Sequence, residues 1–447
     1  MLARLSIATV ALALLAAGAS AATWSQPATL ASCAPARDPQ VVFPFSEPSQ
    51  RSGHGAILWL GSPPGCSKAG AVALDWATLH SSDQPSIART ALAGPRLAAP
   101  LAATGTTAGQ IVALAGAGAG TVLAEGATQA GLRALATIGA PATLADGYIG
   151  DADVVSVERS HGRQVIELRA QRHYARSFAA PVTMPEGAAP ISSLTVALDF
   201  RADSIVVWVQ SGEVRAQWVS NAGRPSPPQV LGPAGYATQI AAVLSDNDRS
   251  FVIWAEQPAP GSSAQTTIYL DHSAANVTFS APPRVIASLR QPPAQRLGPG
   301  AVALVRVTPS EGVLAAWPII AAGDYAVQAA GLTSTRVLPS ATISQAGADL
   351  RLAAIATGPR DDVVAVLERA PRAPAGFDQT RQAILAARTV PGGPGGVAFE
   401  TPILLAPAGS NSAPAVAVDP DSDRAVLAWQ TVVAGHAQIA YAIRGGA

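Results

Sequence analysis

A recurring segment that ends in tryptophan constrains this chain more than any other feature. "GHGAILW", "ADSIVVW", "DRSFVIW", "SEGVLAAW" and "SDRAVLAW" close on Trp59, Trp208, Trp254, Trp317 and Trp429. Each is a short apolar run entered from a polar turn. Three further runs keep the pattern with glutamate in the aromatic position: "GTVLAE" to Glu125, "ADVVSVE" to Glu158 and "DVVAVLE" to Glu368. Runs of this length, rich in β-branched residues and bounded by Gly, Pro, Asp and Ser, read as strands.

Other strands flank these. Before most of them stands an apolar or alternating run, such as "SLTVALDF", "QIAAVLS", "AVALVRV", "LRLAAIA" or "PAVAVDP". After them comes a third, such as "GEVRAQWVS", "TTIYLDHS", "DYAVQAAGL" or "AQIAYAIR". A proline-bearing segment closes each unit: "WSQPATLA", "LAAPLAA", "IGAPATLA", "FAAPVTM", "SPPQVLG", "FSAPPRVIA", "VLPSATI", "FETPILLA". Proline lacks the amide donor a central strand needs, so it suits an outer edge. Four strands recurring every forty to seventy residues or so predict an all-β propeller of four-stranded antiparallel blades. We count eight blades, or seven if the unit between Pro141 and Pro181, whose first strand is hard to find, merges with a neighbour.

The last unit supplies three strands and stops at "AYAIRGGA". Its missing fourth strand is expected at the other end, in "TWSQPATLA", so the N-terminal strand should join the C-terminal blade. Such closure removes the open edge that invites intermolecular pairing.

Arg4, the apolar run "LSIATVALALLAAGA" and the small residues Ala19-Ser20-Ala21 have the layout of a cleaved secretory signal. Residues 1–21 are therefore read as the signal and 22–447 as one propeller domain, secreted to the extracellular space, the periplasm or the cell envelope. No later stretch of the sequence reads as a membrane span. With 29 basic and 29 acidic residues, the chain has no net charge to attract nucleic acid. A monomer is expected. The two cysteines, Cys33 and Cys66, suit one disulfide in an oxidising compartment. They flank the predicted closing seam on connections that should share one rim.

In architecture the chain resembles bacterial secreted propellers of the sialidase-like, Asp-box type along its whole mature length. The S-x-D-x-G-x-T-W box itself is absent: "TPSEGVLAAW" and "DPDSDRAVLAW" keep the tryptophan and lose the rest. No catalytic residue transfers from that resemblance. The five tryptophans read as core between blades. Glu125, Glu158 and Glu368 read as structural, with Arg159 and Arg369 as partners for the last two; around a central channel, paired carboxylates could instead act on a glycosidic bond. Asp419, Asp421 and Asp423 alternate as in a calcium loop, but Arg424 replaces the turn glycine and no downstream glutamate follows. Self-capping turns explain them, and Asp246-Asn247-Asp248, better. No metal or cofactor is predicted.

Long second-to-third strand connections are expected at 62–84 and 369–382, on one face, with the C-terminal blade between them. Long loops on a rigid scaffold are where binding concentrates. Trp76, His80, Asp83, Arg372, Phe377, Asp378 and Arg381 are the candidate ligand-binding residues, with no catalytic residue assigned. The expected function is a non-catalytic binding or scaffold protein of the envelope, recognising a glycan or a protein through this loop face. The competing reading is a glycosidase or polysaccharide lyase with carboxylates near the channel.

Overall fold

The structure is a computed structural model. It describes residues 23–30, 36–44, 55–61, 72–79, 84–86, 89–92, 97–106, 109–127, 130–147, 150–172, 175, 177–184, 187–245, 249–259, 262–273, 278–279, 282–290, 301–307, 312–333, 337–358, 363–371, 381–391 and 397–445. Among them there is no α-helix, and the strands form eight antiparallel sheets. Blade one holds Arg37–Val42, Gly55–Gly61, Ala73–Leu79 and Arg89–Leu92. Blade two holds Leu97–Gly105, Gln110–Ala117, Gly120–Ala127 and Gly131–Ile138. Blade three holds Ala142–Asp146, Ala152–Ser160, Arg163–Gln171 and Val182–Met184. Blade four holds Ile191–Leu198, Ser204–Gln210, Glu213–Val219 and Gln229–Pro233. Blade five holds Ala237–Leu244, Ser250–Gln257, Thr266–His272 and Arg284–Leu289. Blade six holds Ala303–Arg306, Val313–Ala321, Asp324–Leu332 and Val337–Ile343. In blade seven, Ala348–Thr357, Val363–Pro371 and Gln382–Pro391 are followed by Val397–Phe399 and Ile403–Gly409, both paired with the third strand. Blade eight joins Ser412–Val418, Ala425–Val433 and His436–Arg444 to Ala28–Leu30.

That last pairing closes the ring. Ala28, Thr29 and Leu30 lie opposite Tyr441, Ala440 and Ile439, and Trp24 bridges Arg444. The Ser25 amide donates to the Ile443 carbonyl at 2.7 Å, and the Ile443 amide donates back to Ser25 Oγ at 3.0 Å. The first strand of each blade touches the first strand of the next, from blade one round to blade eight and back.

The apolar pattern is buried between blades rather than within one central core. Eight clusters of buried residues each bridge one pair of neighbouring blades. The five repeat tryptophans are at most 3% exposed, and each packs against the preceding blade. Trp59 lies with Val426 and Ile443 of blade eight, Trp208 with Val155 and Leu168 of blade three, and Trp254 with Val207 of blade four. Trp317 lies with Ile253 of blade five and Trp429 with Val366 of blade seven. An indole is wide enough to fill the wedge that two twisted sheets leave between them.

Short second-to-third connections follow from turn chemistry. His161-Gly162, Ser211-Gly212, Ala322-Gly323 and Ala434-Gly435 all have positive φ at both positions, the type I′ geometry that matches strand twist.

Three expectations are corrected. "LAAPLAA" and "IGAPATLA" are not closing strands: Leu97–Gly105 and Ala142–Asp146 are the first strands of blades two and three. The second of these is the missing first strand of the weakest unit. "GTVLAE" belongs to the third strand of blade two, so Glu125 is not the positional equivalent of the tryptophans. The stretch 62–84 is not all connection, since Ala73–Leu79 is the third strand of blade one. Proline misled the phase because Pro100 sits in the bulge between Ala98 and Leu101 and Pro141 just before Ala142, and neither place needs a ladder donor.

Candidate functional site: the central channel

Among the candidate loop residues, Trp76 lies on the third strand of blade one, 3% exposed, in the core between blades one and two. Arg381 is exposed just before the third strand of blade seven. His80, Asp83, Arg372, Phe377 and Asp378 lie outside the described residues, as do Cys33, Cys66 and Asp246 to Asp248.

The three glutamates are tied into the framework. Glu125 accepts from Gln171 Nε2 at 2.7 Å across the seam between blades two and three. Glu158 accepts from the Gly139 amide at 2.7 Å and the Ser156 hydroxyl at 2.8 Å, with Arg169, not Arg159, 3.8 Å away. Glu368 pairs with Arg351, not Arg369, at 2.6 Å. None of the three lines the central channel. The acidic run in blade eight is a turn: Asp419 accepts from the Asp421 amide at 3.0 Å and the Ser422 hydroxyl at 2.6 Å. Asp423, with φ 58°, completes it.

The inner strands build a different site. Their C-terminal ends surround a cavity of about 530 Å³ on the ring axis, contributed to by all eight blades. Because strands alternate in direction, this mouth carries the first-to-second hairpins and lies opposite the second-to-third connections. The hairpins are closed alike: the amides of Thr106, Gly147, Asp199, Ser245 and Asp419 donate to the carbonyls of Gln110, Asp151, Asp203, Arg249 and Arg424 at 2.8–3.1 Å.

Many lining residues are aliphatic by type, yet Val41, Val196, Val243 and Leu304 are buried in the clusters between blades, and much of the surface facing the cavity is polar. Asp146 from blade three is the one carboxylate, and Arg306 from blade six the one cation, among the described lining residues. Arg306 reaches past blade five, and its Nη2 donates to the Leu198 carbonyl of blade four at 3.0 Å. Asp146 is exposed to the solvent of the cavity, with the other inner strands of the ring around it. The resulting desolvation pushes its pKa above the ordinary carboxylate range, while its own backbone amide, the Thr104 hydroxyl and the Arg306 charge pull the other way. The sequence carries the signal for both residues, a lone charge in the aliphatic runs "ATLAD" and "ALVR". It is legible only once those runs are known to be inner strands.

One carboxylate is half of what glycoside cleavage requires. Inverting and retaining enzymes place two carboxyl groups roughly 5–10 Å apart. Asp246, Asp248, Asp361 and Asp362 belong to first-to-second connections of blades five and seven, outside the described residues.

No protein-family model matches the chain, and no curated protein matches it. Among solved structures it is similar to a polysaccharide lyase of family PL25, an ulvan lyase (11% identity, TM-score 0.45), covering 90% of this chain and 94% of that one. It is similar to a prolyl endopeptidase (12%, TM-score 0.42), covering 88% of this chain and 55% of that one. A Trypanosoma rangeli sialidase (8%, TM-score 0.36) is covered over 53% of its length by 91% of this chain. The chain thus spans about half of the last two.

Proposed function

We propose that this is an exported, monomeric binding propeller that takes a small ligand in its central channel. What carries the reading is the cavity itself. Eight inner strands surround a concave space of small-molecule size, and its described lining brings one carboxylate and one guanidinium to an otherwise uncharged wall. A glycan or an envelope protein remains the partner proposed for the opposite loop face, with Arg381 exposed there. A Cys33–Cys66 disulfide is proposed to staple the closing seam.

A second reading, a carbohydrate-active enzyme, rests on Asp146. A carboxyl group whose pKa desolvation raises, in a concave site, is suited to general-acid work. The lyase and sialidase similar in fold are enzymes of that broad class, at identities too low to carry substrate or mechanism across. The test is a calorimetric ligand screen on the mature chain beside a product assay on neutral and uronic polysaccharides. Binding without product release, weakened in Asp146→Asn, supports the binding reading. Product release abolished by the same substitution replaces it with the enzymatic one.

A further inference from the structure

The seam between blades two and three ends, on the mouth side, in oxygen atoms rather than apolar side chains. We infer that this end of the seam binds one monovalent metal cation, of the sodium or potassium class, held by Glu125, Gln110, Gln171 and the Ala175 carbonyl.

The first ground is an uncompensated buried charge. Glu125 stands on the third strand of blade two, 3% exposed, and shares the face that Val112 turns toward blade three. A carboxylate has about four acceptor sites. Among the described residues this one accepts a single hydrogen bond, from Gln171 Nε2 at 2.7 Å, and makes no ion pair. The guanidinium groups nearby are engaged elsewhere. Arg133, opposite Glu125 on the outer strand, is exposed to solvent. Arg172, next to Gln171, pairs with Asp153, which also binds Ser204 of blade four. Burying a carboxylate without a countercharge is costly. A bound cation supplies one.

The second ground is a convergence of oxygens. Around the Gln171 side-chain nitrogen stand Glu125 Oε1 at 2.7 Å, the Ala175 carbonyl at 3.1 Å and Gln110 Oε1 at 3.4 Å. That nitrogen has two hydrogens for three acceptors. The oxygen of the same amide, on a residue 2% exposed, is buried without a partner. A half-turn about the last side-chain bond, a soft torsion, brings it into the cluster. The set is then one carboxylate with three neutral carbonyls, the ligand chemistry of hard cations. Its single negative charge matches a single positive one. Val112, Leu123 and Val154 close the site from the core side, while half-buried Gln110 and exposed Ala175 leave it open toward the mouth.

The test is thermal unfolding of the full mature chain at constant ionic strength and pH. Sodium, potassium or calcium chloride is exchanged against N-methylglucamine chloride, so that surface screening stays the same. We expect Tm to rise saturably with sodium or potassium, by about 2 °C or more, because an ion that binds only the folded ring stabilises it by mass action. Glu125→Gln keeps the shape and the hydrogen bond from Gln171. It should abolish the rise and leave Tm in N-methylglucamine at least as high as that of the unaltered chain. Gln110→Leu, at the rim, should raise the half-effective cation concentration by about threefold or more, and does not depend on Glu125→Gln folding. Equal Tm in every chloride overturns the inference, as does a rise that survives Glu125→Gln. A rise confined to calcium overturns the single-charge ion. Stability that follows pH alone at every cation concentration assigns the balance to a proton on Glu125 and overturns the site.

Discussion

Two seams of the ring solve the same problem with different chemistry. Where blade four meets blade three, Trp208 fills the wedge, fully buried among Val155, Val157 and Leu168. Where blade three meets blade two, the corresponding strand carries Glu158, and beside it backbone stands where the indole would be. Gly139 lies so close that a Cβ there would stand 1.9 Å from the Val157 carbonyl oxygen. Its amide would be stranded without an acceptor, and Glu158 Oε1 accepts it at 2.7 Å. The aromatic seam is held by buried area. The glutamate seam adds to its smaller apolar cluster a close backbone approach and two hydrogen bonds to carboxylates, at Glu158 and at Glu125. Glu158 in a tryptophan's place therefore marks a close approach of two blades, not an opening onto the channel.

The contrast can be broken by exchange. Trp208→Ala should cost about 3–5 kcal/mol, the range for removing a fully buried aromatic, read as a lower denaturant midpoint. Gly139→Ala should cost several kcal/mol as well, because the clash is with backbone that cannot rotate away. Glu158→Trp should destabilise too; a stabilising outcome would mean that the two seams are interchangeable and that the contrast is wrong. Glu158→Gln removes the charge and keeps the shape, and should cost about 1–2 kcal/mol, at the lower end for a hydrogen bond to a charged acceptor.

The smallest effect is in pH. Asp75 on blade one and Asp271 on blade five are buried, and desolvation raises each pKa to about 6. Opposing this, the Thr90 side chain and the His272 amide hydrogen-bond to them. An acid whose folded pKa lies above its unfolded value holds its proton more tightly when folded. Its stabilising contribution is therefore present at low pH and lost as pH rises through about 4 to 6. Asp75→Asn should raise Tm at pH 7.5 more than at pH 4.5, flattening the profile. An equal shift at both pH values would contradict the burial of this carboxyl group in its charged form.

The same contrast explains what was legible in the sequence. Blades four, five, six and eight follow the tryptophan repeat in phase, because wedge filling and type I′ turns are local and recur in the chain. Blades two and three lost their phase where the tryptophan is replaced and where Pro100 and Pro141 accompany inner rather than outer strands. Closure was legible because an incomplete module at one end has its complement at the other. The two charged channel residues were not, since Asp146 and Arg306 stand on blades three and six and line one cavity only once the ring has closed. The loop residues proposed from length alone included Trp76, whose strand context makes it core.

A single closed ring with one axial channel requires that Thr29 and Ala440 face each other across the terminal strand pair. Opposed residues of antiparallel strands have Cα atoms about 4.5–5.5 Å apart, within disulfide reach. Thr29→Cys with Ala440→Cys should therefore cross-link within one chain on mild oxidation. Peptide mapping should then join the N-terminal segment to the C-terminal one, and Tm should rise. Free thiols at both positions in the native protein, or cross-links only between chains, would show that the termini do not share a blade and that no such channel is enclosed.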